Sequence, residues 1–479
     1  MSIGHRPLAI VHYFCLLLFL FASCQSNDII QPLDYNEPQN NQVSLVVKMN
    51  VASRSSETDD DYFKNEYTIS HLELFFFDAE TGAFVTRLTI NDLTQDEDPP
   101  DKQYDITYIS KEHGVRTGVY NIFAVANHDH LPEVINHQDE LLNLTDSITY
   151  HSGIEANIPE KGPVMTSQPT KLLAIDLRPW ADKRYYLSIQ MERVLAKLQI
   201  GVAQDKFELK HQGHKYADIN ITNYKLVNLN TRYYLFQHYD SLTQLTDQPQ
   251  FQLPDHFTPY TGQSNTYVVD PLFYQKIPTR TSTIQLSHYF ASWFGNFTTE
   301  NFASMPAAGS HGYSYILENT TFSTSQKNGY SPGVVFKAAV SPTFVYLYNA
   351  KTRTLQEETR PEYWPETLYL YNFNFYGSLH AVYLASSLAL DELLTYTDAQ
   401  LNTYGIKQCK FNMGTYETFY TYWIQHQKDN EPMSPMNYAI VRNNFYKLTV
   451  SGISGLGNSS IQPDILRNNY PNSYVDIEK

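Results

Sequence analysis

Regular alternation of apolar and polar residues first sets in at position 43. Val43, Leu45, Val47, Met49 and Val51 alternate with Ser44, Lys48 and Asn50, Val46 being the one departure. This pattern predicts a strand with one wholly apolar face, which must be buried. A polar loop follows from Ala52 to Asp61, with Arg54 near its start. Leu72, Leu74 and Phe76 then share one side of a strand ending at Asp78. The turn Glu80-Thr81-Gly82 and a second run from Ala83 to Ile90 complete a hairpin. Gly118 to Asn127 is apolar on both sides, as expected in the middle of a sandwich. A helical patch is predicted over Leu131 to Leu144. Alternation returns at Val194, Ala196, Leu198, Ile200 and Val202, with Lys197 and Gln199 between them.

From about residue 205 the pattern is one of many short strands broken by Pro, Asn and Gly, as at Tyr267 to Val269 and Phe344 to Tyr348. Ser386 to Asn402 predicts a second helix. The last long strand signal is Tyr438 to Val450, followed by a turn at Gly455-Leu456-Gly457. No repeat of 20 to 50 residues is visible. The class is therefore all-β with short helical insertions, arranged as two sandwiches.

Length agrees with two domains: 479 residues exceed one ordinary core of roughly 100 to 200 residues. The division expected is residues 43–190 and 191–479. Hydrophobic residues make up 42% of the chain, and its 38 Tyr are ample material for packed sheets. The net charge of −16 comes without any basic tract, which excludes nucleic acid as a partner. The three cysteines are Cys15, Cys24 and Cys409, so the body of the protein holds one thiol and no disulfide framework.

Residues 1–23 read as a signal peptide: His5 and Arg6, an apolar run from Tyr13 to Phe21, then Ala22 and Ser23 directly before Cys24. That arrangement looks like a bacterial lipobox, in which the Cys24 thiol takes a lipid and becomes the mature N-terminus. Residues 24–42 are polar, with two prolines, and read as a tether. No second apolar stretch of membrane length follows, so contact with a membrane is expected through lipid alone.

The candidates for chemistry are weak. Gly329-Tyr330-Ser331-Pro332-Gly333 spells a nucleophile elbow, but its oxyanion hole would need the N–H that Pro332 lacks. His128 and His130 could approach each other, yet no third metal ligand is spaced to join them. Cys409 is expected to pack as a small apolar side chain, and the aromatics from Tyr416 to Trp423 as sandwich core. No enzyme and no cofactor is expected.

Six features in order resemble the fimbrillins, the type V pilin superfamily of Gram-negative outer membranes. They are the lipobox at Cys24, the alternating strand followed by Arg54, the Leu72 to Asp78 strand with its Asp-x-x-Thr-Gly turn, Thr117 to Asn127, Glu192 to Lys197, and Tyr438 to Tyr446 with Ile453 to Gly457. The last is similar to the C-terminal signature of the minor fimbrial subunit type. The resemblance implies two tandem transthyretin-like β-sandwich domains and a maturation path. The precursor is exported as a lipoprotein, cut between Arg54 and Ser55 by a surface Arg-specific protease, and loses the strand Val43, Leu45, Val47, Met49, Val51. It then polymerises with other fimbrial subunits by donor-strand exchange, for adhesion to a host or bacterial surface ligand.

The expected location is the outer membrane first and the fimbrium afterwards. The candidate donor tail is Tyr474, Val475 and Ile477, short beside the long alternating strands of stalk pilins, which suits a tip or accessory subunit. The alternatives are an uncleaved lipid-anchored base subunit and a monomeric surface glycan-binding lipoprotein.

Overall fold

A computed structural model of the chain describes residues 33–34, 42–51, 64–95, 106–150, 161–167, 175–177, 183–241, 266–276, 289–359, 361–386, 388–426, 436–461, 463–468 and 474–478. Cys24, Arg54 and Ser55 lie outside them.

The fold is all-β, as the alternation predicts. The N-terminal part is one curled sheet. Its main strands are β1 (Gln42–Val51), β2 (Leu72–Asp78), β3 (Phe84–Ile90), β4 (Ile106–Ile109), β5 (His113–Arg116), β6 (Val119–Ala126), β7 (Met165–Ser167) and β8 (Lys183–Arg193). Hydrogen-bonded neighbours run β3, β2, β6, β7, β8, β1, β4, with β5 also on β1. Leu72, Leu74, Phe76, Ala124, Ala126, Tyr185, Leu187 and Met191 meet inside it in one core. The turn between β2 and β3 has a local cause. Asp78 Oδ1 accepts hydrogen bonds from the Thr81 N–H and hydroxyl, both at 2.8 Å, and Gly82 takes the φ of 71° that the turn requires. Those bonds hold the Asp78 carboxyl below its usual range.

Only Val194 separates β8 from β9 (Leu195–Val202), the first strand of the C-terminal part. This part is a sandwich. A four-stranded sheet joins β12 (His311–Leu317), β9, β20 (Phe445–Ile453) and β21 (Val475–Glu478). The facing sheet begins with β10 (Phe207–His211), β11 (His214–Val227) and β13 (Gly333–Pro342). It continues from β13 through β19 (Thr415–Trp423), β18 (Lys407–Asn412), β16 (Thr367–Tyr371) and β17 (Asn374–Tyr376) to β14 (Val345–Asn349) and β15 (Thr354–Glu358) at the far edge. Leu198, Ile200, Leu448 and Val450 from one sheet pack on Ile219, Phe336, Tyr420 and Cys409 from the other. The aromatics of β19 are thus core, as expected. The two parts share a plan, because each runs an early strand parallel to a late one: β1 beside β8, and β9 beside β20.

The strand Gly118 to Asn127 is apolar on both faces for a reason now visible. Ala124 and Ala126 face the inner core, while Phe123 and Val125 meet Phe75, Phe77, Leu141, Leu235 and Phe236 on the outside. That second face is covered by the C-terminal part.

Both predicted helices are shorter than expected. Instead of Leu131 to Leu144, α1 spans Gln138–Leu142. The backbone before it is bound to the β2–β3 hairpin, with the Phe84 N–H on the Asn136 carbonyl at 2.9 Å and the Gln138 N–H on the Gly82 carbonyl at 2.9 Å. The region Ser386 to Asn402 divides into α3 (Leu390–Leu393) and α4 (Asp398–Thr403), because Thr397 starts a fresh helix with a capping box to Gln400. α2 (Leu379–Ala385), capped by Ser378, is additional to the expectation.

Candidate functional site: the bed of the first strand

β1 has neighbours along both edges. On one side it runs parallel to β8, from Ser44 opposite Arg184 to Val51 opposite Met191. On the other it runs antiparallel to β5, with Val43 opposite Val115, and to β4, with Met49 opposite Tyr108. Where β4 gives way to β5, Ser110 keeps the ladder closed. The Val47 N–H donates to Ser110 Oγ at 3.0 Å, and the Ser110 N–H donates to the Val47 carbonyl at 3.0 Å.

The side-chain period of two sends alternate residues inward. Val43 is 6% exposed, and Leu45, Val47 and Met49 are 0% exposed. All four belong to the inner core. On the outer face Ser44 Oγ donates to Glu112 at 2.8 Å, and Lys48 is exposed. The side chain of Val51, the fifth member expected, lies outside the description. Four fully buried apolar side chains correspond to roughly 6–12 kcal/mol at about 1.5–3 each, an upper estimate because the unfolded chain is itself partly compact.

The tail residues belong to a different place. β21 pairs antiparallel with β20, with Ile477 opposite Val450 and Val475 opposite Ile453. Val475 is buried and Ile477 packs partly against the same core. Tyr474 points outward, with Lys407 Nζ 3.6 Å from its ring centre. The inward pair is therefore Val475 and Ile477.

The two downstream motifs meet at the joint between the parts. Glu66 is buried and receives Arg193 Nη1 at 3.0 Å and Lys197 Nζ at 2.7 Å. Tyr315 Oη also donates to it, and burial first, then the Glu66 charge, pushes that phenol up. Arg193 Nε donates to Asn443 Oδ1 at 3.1 Å, and the Lys197 N–H donates to the Asn444 carbonyl at 2.9 Å. Next to this, the fully buried Arg442 pairs with Glu318 at 2.9 Å and donates to the Leu235 and Tyr234 carbonyls. The sequence carries no signal for Glu66 or Glu318 as partners, since each is a lone acidic residue among polar neighbours or at a strand end.

The weak chemical candidates resolve into structure. Ser331 is buried in the turn entering β13. His128 accepts the His130 N–H on Nδ1 and donates from Nε2 to Asp146 at 3.0 Å, so both of its nitrogens are engaged. Among the described residues no group of His, Cys, Asp and Glu is arranged to hold a metal ion. Cys409 is buried, and burial pushes its thiol up, away from reactivity.

Two protein families match this framework. Residues 42–198 match the major fimbrial subunit protein (FimA) family model, starting at the first residue of β1 and ending within β9. Residues 414–478 match the C-terminal model of major fimbrial subunit protein type IV, fimbrillin, which takes in β19, β20 and β21. The resemblance to fimbrillins thus holds at both ends of the chain, and these are families of fimbrial subunits, not of enzymes.

Similar solved structures include a fimbrilin from Porphyromonas gingivalis, at 14% identity over 90% of this chain and 95% of that one, with a TM-score of 0.44. A putative cell adhesion protein from Parabacteroides distasonis matches at 12% identity over 92% and 96%, TM-score 0.39. The tip fimbrial protein Mfa3 from Porphyromonas gingivalis matches at 11% identity over 88% and 96%, TM-score 0.35. No curated protein matches the chain.

Proposed function

We propose that this chain is a subunit of a surface fimbria, exported with lipid on Cys24 and matured by proteolysis between Arg54 and Ser55. Loss of β1 then opens the sheet between β8 and the β4–β5 edge, and a strand from a neighbouring subunit fills the gap. The observation that carries this reading is the bed of β1: one continuous segment at the chain's N-terminal end, hydrogen-bonded along both edges, with four apolar side chains aligned inward. A donor strand supplies both the missing main-chain bonds and the missing side chains, and an open edge without one is a strong attractor for strands. Exchange of this kind is head-to-tail and builds an open filament. The partners are other fimbrial subunits, and the place of action is the cell surface.

A tip or accessory position is favoured over the repeating stalk. β21 is four residues long and is already paired to β20 of its own sandwich, so it is a poor strand to give away. The test is the N-terminal sequence of the protein taken from sheared surface filaments. A start at Ser55 is the expected result. A surface form that still begins at acylated Cys24 overturns strand removal and leaves an anchored base subunit or a monomeric glycan-binding lipoprotein.

A further inference from the structure

Away from the first strand, a second cluster combines three chemically complementary side chains. The strand Thr266–Val269 leads into Asp270 and then a single helical turn, Phe273–Lys276. Lys276 is 0% exposed, and Asp270 and Asn319 are each 1% exposed. Lys276 Nζ lies 2.8 Å from Asp270 Oδ2 and 2.9 Å from Asn319 Oδ1. Its third bond goes to the Thr320 carbonyl at 2.9 Å. The ring of Phe290 sits 5.7 Å away.

The carboxamide is locked in one orientation. Asn319 Nδ2 donates to the Asn228 carbonyl at 2.7 Å and to the Tyr330 carbonyl at 3.0 Å. Both of its hydrogens are used, so Oδ1 is the atom turned toward the lysine. The Asn319 backbone is fixed as well, exchanging N–H···O bonds of 3.0 and 2.9 Å with Ile440. Asp270 is held by the Leu272 N–H at 2.7 Å on Oδ1 and by the Thr320 N–H at 2.7 Å on Oδ2.

Such a cluster is a costly way to gain stability alone, since desolvating a Lys and an Asp can outweigh their attraction. Burial pushes the Lys276 amine down, towards its neutral and nucleophilic form. An amine hydrogen-bonded to a fixed carboxamide oxygen is one bond away from its carbonyl carbon, and with a carboxyl group on the same nitrogen the parts that acyl transfer needs are together.

We propose that Lys276 and Asn319 become joined by an intramolecular isopeptide bond, with Asp270 as the proton carrier. In the step, the Lys276 ammonium passes a proton to Asp270, and neutral Nζ attacks Asn319 Cγ. The Nζ–Cγ bond forms and the Cγ–Nδ2 bond breaks. Asp270 returns its proton to Nδ2, the new amide nitrogen gives up its second proton, and ammonia leaves as ammonium. No oxidant, metal or cofactor takes part. The link ties the segment 266–276 to the end of β12 and removes loop-closure entropy from the unfolded chain. It is independent of strand removal at β1.

Mass spectrometry of the full chain, purified folded and then digested, tests this. The expected result is a mass short by one ammonia, carried by a branched peptide that contains Lys276 and Asn319. Full mass in the folded wild type overturns the proposal. So does a loss of one water with Lys276 joined to Asp270. Asp270→Ala keeps both reacting partners and is expected to show full mass with the same digest; a cross-link that persists in it overturns the role of Asp270.

Discussion

Removing β1 is the perturbation with the largest calculable consequence. A chain starting at Ser55 lacks Val43, Leu45, Val47 and Met49 from the inner core and loses roughly 6–12 kcal/mol. This is of the order of a domain's whole stability, about 5–15 kcal/mol. The truncated protein should melt far below the full chain, or associate through the open edges of β8, β4 and β5. A synthetic peptide with the sequence of residues 42–51 should reverse both effects. At about 100 times its dissociation constant it restores roughly 2.7 kcal/mol.

The same peptide with Val47→Asp places a charge where the native side chain is fully buried and should fail. A slip of one residue cannot rescue it, because that turns Ser44 and Lys48 inward. Thermal melting with and without peptide, together with size-exclusion chromatography, reads all of these outcomes. A truncated chain that stays monomeric with an unchanged melting temperature would show that β1 does not complete the core. Equal rescue by the Val47→Asp peptide would refute the side-chain argument and leave main-chain pairing alone.

Two further predictions concern the joint. Glu66→Ala leaves Arg193 and Lys197 buried without their shared carboxylate, at a cost of about 3–5 kcal/mol. With about 2–4 °C lost per kcal/mol in a domain of this size, calorimetry should find the transition lowered by about 6–20 °C, and an unchanged transition contradicts the lock. His238 is pushed down to about 3 from an ordinary 6.5, by burial first and by Arg442 second. The folded state therefore keeps the imidazole neutral while the unfolded chain takes a proton below about 6.5. Stability from this group is complete above that pH and falls between 6.5 and 3, by up to about 5 kcal/mol. Urea titrations at several pH values should show a shallower loss for His238→Gln, and identical slopes would exclude the imidazole as the cause.

Strand positions were legible in the sequence wherever a two-residue period ran for several turns. β1, the β2–β3 hairpin, β6 and β9 all lie where alternation or a bounded apolar run places them, because a pleated strand must send alternate side chains to opposite faces. Helix extents were less legible. Leu131 to Leu144 has helical composition, yet hydrogen bonds from the β2–β3 hairpin hold Asn136 to Gln138 against its end, and a partner so distant in sequence leaves no local trace. The same limit applies to polarity. Lys197 and Gln199 are the polar positions of an alternating strand, yet both are buried, and Glu66 is the partner of Lys197.

What the sequence determined by itself is the all-β class, the alternating first strand, the core role of the β19 aromatics and the likeness to fimbrillins, since each rests on local periodicity or on ordered motifs. What only the tertiary structure decided is which charges meet: Glu66 with Arg193 and Lys197, Glu318 with Arg442, and Lys276 with Asp270 and Asn319. Apart from Lys276 and Asp270, which are six residues apart, those pairings bring segments far apart in the chain within 3 Å, and a sequence read along its length holds no measure of that distance.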